Sequence, residues 1–441
     1  MRTHDHAACS PFAGRRAAFA RRMGHGVAVL VGAPQVTRNG DVQYEYRQGS
    51  DFYYLTGFEE PEAVAVIAPG HPEHRFVLFV RPRDPAMEVW NGPRAGVEGA
   101  RRRFGADAAF PIGDLDRILP KYLSGQERLC YKVGRDKLFD DRIIGMLNAL
   151  RSQARAGIGA PSTLADPSEI LAEMRLFKGP EEIGLLRKAI ALTDRGHRAA
   201  MAATRPGLME FQVQAEMEGA FRAGGSPRLG YGSIVGSGAN ATVLHYTQNA
   251  RRMKAGELLL IDAGTEFGYY TADVTRTFPV DGRFTPAQRA VYEVVLDAQK
   301  EAIRKVRPGV SFQAVHDAAV EVLTEGCRKL GLLKGPAKRL IRKGAFRTYY
   351  MHRTSHWLGM DVHDAGKYRE GEGWRKLKPG MVLTVEPGLY VAPGCRKAPA
   401  KYRGIGVRIE DDILVTKDGR ENLTEALPRE PEAVEALVGR G

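Results

Sequence analysis

The chain has 441 residues, of which 43% are hydrophobic and 27% charged, as in globular proteins, and its length predicts two domains. It contains no run of 18 apolar residues, which argues against a membrane-spanning helix. The net charge of +13 suggests a nucleic-acid partner, but the basic residues are dispersed and no RNA- or DNA-binding motif accompanies them. We therefore predict a solvated basic surface and no nucleic acid, with salt-sensitive oligonucleotide binding as the test of the alternative.

The first 170 residues predict a smaller N-terminal α/β domain. The segment FAGRRAAFARRM is typical of an amphipathic helix, and the N-terminus lacks the continuous apolar core of a signal peptide. Short apolar strands are predicted at VAVLVGA, AVAVIAP and RFVLFVRP, and a helix at DRIIGMLNALRSQAR.

The rest of the chain, residues 171–441, predicts an α+β domain. Pro161 and Pro167 mark the linker, Ser168 is a candidate N-cap, and Pro180 suits a first helical position. Further helices are predicted at PAQRAVYEVVLDAQKEAIRKV and SFQAVHDAAVEVLTEGCRKLG. Alternating helix pairs and strand pairs favour helices that cover a largely antiparallel sheet.

The four cysteines are scattered and lack the spacing of metal ligands. They are Cys9, Cys130, Cys327 and Cys395. This distribution predicts reduced thiols and a cytoplasmic location.

Four carboxylates lie in or beside apolar, β-branched runs of the second half. They are Asp262, Asp273, Glu386 and Glu410. Buried carboxylates are costly without compensating cations, and no equal set of lysines is interleaved with them. Two divalent metal ions would balance the four negative charges, so we predict a dinuclear metal site.

The first two carboxylates fit a hairpin. If the chain reverses at Phe267-Gly268, strands over residues 257–264 and 269–278 place Asp262 and Asp273 opposite each other, roughly 5 Å apart at Cβ. A solvated hairpin face is the alternative, but LLLID is too apolar for it.

The other two carboxylates, Glu386 and Glu410, fit a second hairpin with a long connection rich in proline and glycine. Arg408 lies two residues before Glu410 and would share its face of the strand. It is a candidate site cation, and an ordinary surface ion pair is the alternative.

The histidines cluster near these strands, at His245, His352, His356 and His363. The spacing of His352 and His356 is that of zinc proteases, but position 353 is Arg rather than Glu, which excludes that class. One histidine among four carboxylates is an oxygen-rich donor set that suits Mn²⁺ and accepts Co²⁺, Fe²⁺ or Zn²⁺. The remaining histidines are predicted to be packed or surface residues, namely His25, His71, His74, His197 and His316, while His4 and His6 are expected in a mobile N-terminus.

Several blocks resemble one peptidase family. SHWLGMDVHD, LTVEPGLY and YRGIGVRIEDD are similar to signature blocks of the dinuclear-metal peptidases that include methionine aminopeptidase, prolidase and aminopeptidase P. VTRNGDVQYEYRQGSDFYYLTGFEEPEAV resembles the non-catalytic domain of the Xaa-Pro aminopeptidases. The resemblance implies a C-terminal catalytic domain with the pita-bread fold, built from two pseudo-symmetric halves.

The resemblance also implies roles for individual residues. Asp262 binds one metal, His356 and Glu386 bind the other, and Asp273 and Glu410 bridge the two. His245, His352, His363 and Arg408 line the site, and Trp90 is either near the substrate entrance or a partly buried surface residue. A homodimer or homotetramer is expected.

The implied activity is release of the N-terminal residue from peptides with proline at the second position. A metal-bridging hydroxide attacks the scissile carbonyl, Glu386 transfers its proton to the leaving nitrogen, and His363 or His245 stabilises the oxyanion. Two alternatives stay open: a prolidase that cuts only Xaa-Pro dipeptides, and a metal-free binding protein on the same fold.

Overall fold

The computed structural model describes residues 11–440, so His4, His6 and Cys9 lie outside the described part. The chain divides into two compact units, Met1–Met174 and Arg175–Gly441. The sequence predicts the domain boundary between residues 170 and 171. Between residues 11 and 440, no helix combines the length and hydrophobicity that a membrane span requires.

The first unit is a mixed sheet with helices. Its strands are β1 Val27–Val31, β2 Thr37–Asn39, β3 Val42–Gln43, β4 Val64–Ile67, β5 Phe76–Val80, β6 Ala108–Pro111, β7 Arg128–Cys130 and β8 Thr163–Ala165. Its helices are α1 Pro11–Met23, α2 Ser50–Thr56, α3 Pro85–Asn91, α4 Gly96–Phe104, α5 Leu115–Leu123 and α6 Lys137–Ser152. Six strands form one sheet in the order β6-β5-β4-β1-β7-β8, and β1 pairs antiparallel with β4 and parallel with β7.

Helix α7, Ser168–Leu176, starts where the sequence predicts but is capped differently. Ser168 is already helical, and its backbone N–H donates to the Asp166 carboxylate at 2.8 Å. Ser168 is therefore the first helical residue and not the N-cap that the sequence predicts. An ionised carboxylate accepts this hydrogen bond more strongly than a hydroxyl does.

The second unit contains helices and antiparallel strand pairs. Its helices are α8 Pro180–Ala203, α9 Glu210–Ala223, α10 Pro286–Lys305, α11 Phe312–Lys329, α12 Ala337–Arg342 and α13 Pro431–Glu435. Its strands are β9 Arg228–Leu229, β10 Ile234–Ser237, β11 Leu258–Asp262, β12 Thr265–Phe267, β13 Tyr270–Thr271, β14 Thr275–Pro279, β15 Arg369–Glu370, β16 Gly373–Trp374, β17 Val382–Val385, β18 Gly388–Tyr390, β19 Gly406–Arg408, β20 Asp411–Val415 and β21 Arg420–Asn422.

This unit is built from two successive halves, each a helix pair followed by strands. In the first half, apolar residues of α8 and α9 form one core with β11 and β14, among them Met201, Phe221 and Ile261. In the second half, α10 and α11 form a core with β18 and β19, which includes Val295, Leu323 and Val407. All strand pairings named for this unit are antiparallel. The predicted α+β class is confirmed.

The first carboxylate hairpin has a different register from the predicted one. Asp262 pairs with Thr275, and Phe267 pairs with Tyr270, so the chain reverses at Gly268-Tyr269. Both turn residues have positive φ, 57° and 70°, as a two-residue hairpin turn requires. Asp273 is therefore diagonal to Asp262 rather than opposite it. Because the shift is two residues, both side chains still face the same side of the hairpin.

The second carboxylate hairpin is confirmed. Val385 pairs with Asp411, and Gly388 pairs with Arg408. Glu386 and Glu410 lie between these two ladders, at positions that continue the same register. The long connection between them lies beyond Tyr390, outside the paired strands.

A buried charge cluster gives the second unit a testable contribution to stability. Asp364 accepts from Arg175 at 2.5 Å and from Lys178 at 2.9 Å, and all three side chains are at most 4% exposed. Asp364→Asn would leave two buried cations undercompensated. We expect it to lower the free energy of unfolding by about 3–5 kcal/mol at neutral pH. Urea unfolding followed by tryptophan fluorescence measures this change.

Asp364→Asn should also make the free energy of unfolding less dependent on pH in the acid range. Burial disfavours ionised Asp364, but Lys178 and Arg175 outweigh burial and lower its pKa. This stabilisation is therefore complete above the unfolded pKa of about 4 and is lost as the pH falls through the lower folded pKa. Glu325→Gln, which removes a half-exposed pair with Arg328, is the control and should cost only about 0.2–1 kcal/mol. Equal losses in both variants would contradict the prediction.

Candidate active site

One cavity of about 790 Å³ in the second unit brings the predicted site residues together. Its lining includes all nine of them: His245, Asp262, Asp273, His352, His356, His363, Glu386, Arg408 and Glu410. The carboxylates come from the two hairpins described above. The histidines come from the segments around β10 and before β17, so residues more than a hundred positions apart share one cavity.

The centre of the cavity is formed by Asp273, His356 and Glu410, each of which offers a ligand atom within 4.8 Å of the others. His356 Nε2 lies 3.2 Å from Asp273 Oδ2 and 3.5 Å from Glu386 Oε1. His356 Nδ1 donates to the Trp357 carbonyl at 3.0 Å. This hydrogen bond fixes the ring and leaves Nε2 directed at the carboxylates, as in metal-binding histidines.

The other carboxylates are held by buried hydrogen-bond donors. Asp262 Oδ2 accepts from Arg408 at 2.5 Å. Glu410 Oε2 accepts from the Thr275 hydroxyl at 2.6 Å. Arg408 is 3% exposed, so it is a buried site cation and not part of a surface ion pair.

Sequence reasoning missed Tyr231, whose hydroxyl lies between the first two carboxylates. It is 2.6 Å from Asp262 Oδ1 and 2.5 Å from Asp273 Oδ1. Burial and the neighbouring carboxylates raise its pKa well above the ordinary value, so it stays a hydroxyl donor. Tyr231 precedes β10 in GYGS, a segment that carries no recognisable signal in the sequence.

Sequence reasoning also missed the part that Tyr390 plays. Its hydroxyl accepts from Arg408 at 2.9 Å and lies 2.9 Å from His352 Nε2. His352 Nδ1 donates to the Arg353 carbonyl at 2.7 Å, so Nε2 is the acceptor for Tyr390. Burial and the Arg408 charge lower the pKa of His352 to about 3, consistent with this neutral tautomer. The network therefore orients Arg408 toward Asp262.

The electrostatics of the donor set fit divalent cations. Burial, with the charge of Asp273, raises the pKa of Glu386 to about 7 against the opposing charge of His356. Burial and the neighbouring carboxylates likewise raise the pKa of Asp273 and, more strongly, that of Glu410. Simultaneous ionisation of these buried carboxyls is unfavourable, because their negative charges repel each other. Bound cations would compensate those charges.

Two of the predicted histidines lie at the open side of the cavity. His245 and His363 are exposed, and the His363 ring lies 4.4 Å from the His356 ring, edge to face. Burial and the neighbouring His356 lower the pKa of His363. A neutral imidazole in this position can donate a hydrogen bond to a bound substrate.

Among residues 11–440, the histidines that were predicted to be packed or surface residues do not line this cavity. His197 is fully buried, with Nε2 3.0 Å from the Ala263 carbonyl, and His316 Nδ1 lies 2.8 Å from the Thr354 hydroxyl. Trp90 is 82% exposed on α3 in the first unit, and its role at an entrance stays a prediction.

Sequence comparisons identify the family. Residues 184–417 match the sequence model of metallopeptidase family M24. The chain belongs to this family. Residues 12–131 match the N-terminal domain of aminopeptidase P, so the predicted two-domain organisation of the M24 chain is that of aminopeptidase P.

Individual relatives agree with this membership. The M24 chain is 45% identical to the Xaa-Pro aminopeptidase of Escherichia coli over 429 residues, which cover 97% of each protein. It is similar to the structure of Pseudomonas aeruginosa aminopeptidase PepP, with a TM-score of 0.95 and 48% identity over 97% of each chain. A structure of Zn-substituted E. coli aminopeptidase P in complex with product has a TM-score of 0.94 at 44% identity and covers 97% of each chain. The resemblance to Xaa-Pro aminopeptidases is confirmed.

Proposed function

We propose that this M24 chain is a metal-dependent Xaa-Pro aminopeptidase, which releases the N-terminal residue from peptides with proline at the second position. The observation that carries the proposal is the convergence of Asp262, Asp273, His356, Glu386 and Glu410 on one cavity. The full-length similarity to the E. coli Xaa-Pro aminopeptidase supports this proline specificity. The catalytic domain is residues 171–441 with the pita-bread fold, and residues 1–170 are non-catalytic.

The five ligands would hold two divalent ions. Asp262 would bind one ion, His356 and Glu386 the other, and Asp273 and Glu410 both. Two ions in these positions supply Lewis acidity, which activates water and polarises a carbonyl. The oxygen-rich donor set favours Mn²⁺ over softer metals.

The chain's own residues have distinct tasks in this proposal. Glu386, which lines the cavity beside His356, would accept a proton and deliver it to the leaving nitrogen, the role that the family resemblance implies. His363 and His245 face the cavity as donors to the developing oxyanion. Arg408 and His352 act as positioning residues, because Arg408 donates to Asp262 and His352 is linked to Arg408 through the Tyr390 hydroxyl.

The alternative is a prolidase, which would use the same five ligands. The match of residues 12–131 to the aminopeptidase P N-terminal domain favours the aminopeptidase. A metal-free binding protein is less favoured, because all five ligand residues are present.

Peptide specificity tests the proposal directly. The purified protein is expected to hydrolyse Ala-Pro-Ala. Proline makes the scissile amide tertiary, so this cleavage cannot depend on an N–H group at that position. Replacing the proline to give Ala-Ala-Ala should reduce the initial rate by more than about tenfold. Ala-Pro alone serves as the comparison for peptide length. Cleavage of the dipeptide but not the tripeptide would replace the aminopeptidase with a prolidase.

Three further expectations belong to the same proposal. We infer a cytoplasmic location, supported by free thiols at Cys130, Cys327 and Cys395 in the described part of the chain. We also infer a homo-oligomer, a dimer or tetramer, and no nucleic-acid partner.

A further inference from the structure

One wall of the active-site cavity carries aromatic rings and a cation that the proposed chemistry does not use. The rings belong to Phe312, Tyr368 and Trp374. Phe312 lies 4.9 Å from Tyr368 edge to face, and its plane is 22° from that of Trp374. Trp374 is on the short β15–β16 hairpin, which is attached to the start of α11 because Phe312 N–H donates to the Arg375 carbonyl at 2.8 Å.

The cation is Arg353, which lines the same cavity as His356 and Glu386. Its guanidinium lies 4.8 Å from the centroid of the Trp374 ring, a cation–π contact. Its NH2 group donates to Gln313 Oε1 at 2.5 Å, and Gln313 in turn donates to Asp317 at 2.6 Å. Stacking and a neutral acceptor therefore orient this guanidinium without neutralising it.

Arg353 differs in this respect from Arg408, the other arginine among the described residues that line the cavity. Arg408 is buried and forms an ion pair with Asp262. Within residues 11–440, Arg353 forms no ion pair, and its side chain is exposed. A guanidinium that is oriented, solvent-accessible and not matched by a protein carboxylate suits a ligand carboxylate, which it can hold through two parallel hydrogen bonds.

We propose that Arg353, stacked on Trp374, forms a subsite for a substrate carboxylate on the side of the cavity that receives residues after the proline. This proposal rests on the proposed aminopeptidase function. The substrate α-amine is a cation, so it is attracted to the carboxylates and repelled by Arg353, which assigns Arg353 to the opposite end of the peptide. The carboxylate is either the free C-terminus of a short peptide or an acidic side chain.

Two matched peptide pairs test the subsite and separate the two sources. Ala-Pro-Ala and its C-terminal amide differ only in the terminal carboxylate. Ala-Pro-Glu-Ala-amide and Ala-Pro-Gln-Ala-amide differ only in a side-chain carboxylate. Wild-type protein should favour the acidic member of at least one pair in kcat/KM by about three- to tenfold. Arg353→Gln should bring that ratio close to one, and Arg353→Lys should give an intermediate ratio because it keeps the charge but loses the planar fork.

Each ratio is measured on one protein preparation, so partial misfolding of a variant cancels. Arg342→Gln, at an exposed position on α12, is the control and should keep the wild-type ratios. If Arg353→Gln lowers the acid-to-amide ratio of kcat/KM, the subsite binds the C-terminal carboxylate. If it lowers the Glu-to-Gln ratio, the subsite binds an acidic side chain. Wild-type ratios near one, or ratios that Arg353→Gln leaves intact, overturn the subsite while the peptidase function stands. No cleavage of any of these peptides overturns the proposed function, and the subsite with it.

Discussion

Asp273→Asn and Glu410→Gln are expected to abolish nearly all peptidase activity. Asp273 lies at the centre of the cavity, 3.2 Å from His356, and Glu410 belongs to the same three-residue cluster. As proposed bridging ligands, both contribute to the binding of two ions. Loss of a residue that merely supports a metal ligand costs about 10–100-fold in affinity, so loss of a bridging ligand should cost more.

Metal content per chain and kcat are measured together for these variants. Wild-type protein should hold up to two divalent ions, lose activity on chelation and recover it with Mn²⁺. Asp297→Asn, an exposed carboxylate on α10, is the matched control and should change neither quantity. Near-normal turnover of Asp273→Asn and Glu410→Gln with both ions bound would rule out the bridging roles. Full activity of exhaustively demetallated wild-type protein would refute the dinuclear site itself.

His363→Ala is expected to lower kcat by about a hundred- to a thousandfold while the metal content stays unchanged. His363 is exposed to the cavity and lies against His356, but it is not among the five proposed ligands. A donor to a developing oxyanion contributes roughly 2.7–4 kcal/mol to the barrier, which corresponds to that range of rate. His356→Ala should instead lose metal, because its Nε2 points at Asp273 and Glu386.

The metal assay distinguishes a ligand from a donor. If His363→Ala loses metal as His356→Ala does, then His363 is a ligand and the assignment is wrong. If His363→Ala keeps both metal and rate, it has no catalytic role. His25→Ala, at an exposed histidine of the first unit, controls for general effects of removing an imidazole.

The local structure around the site was predictable where a pattern has one physical interpretation. Pro180 begins α8, as expected of a proline whose missing N–H has no partner at that position. The apolar runs of the first unit form β1, β4 and β5. The second hairpin was also predictable, because Glu386 and Glu410 each lie in apolar runs, and these runs pair antiparallel across their connection.

The register of the first hairpin was not predictable from the sequence. Sequence symmetry around Phe267-Gly268 placed Asp262 opposite Asp273, whereas the turn is at Gly268-Tyr269. The two turn residues are not an Asn-Gly or Gly-Gly pair, and Tyr269 adopts positive φ although it is not glycine. Tyr269 is 3% exposed, so tertiary burial outweighs its local preference.

The sequence by itself predicted the donor set of the site, because four carboxylates beside apolar strands and one histidine, in a characteristic order, favour a pair of cations. Tertiary structure alone decided which groups orient those ligands. Tyr231 is 31 residues from Asp262 in the chain, and Tyr390 is 18 from Arg408, yet each lies within hydrogen-bond distance of that residue. The sequence does not indicate which tyrosine hydroxyls contact the site, because folding alone removes their water and places them against a carboxylate or a guanidinium. The same holds for Arg353, whose position over Trp374 depends on a hairpin attached to a distant helix.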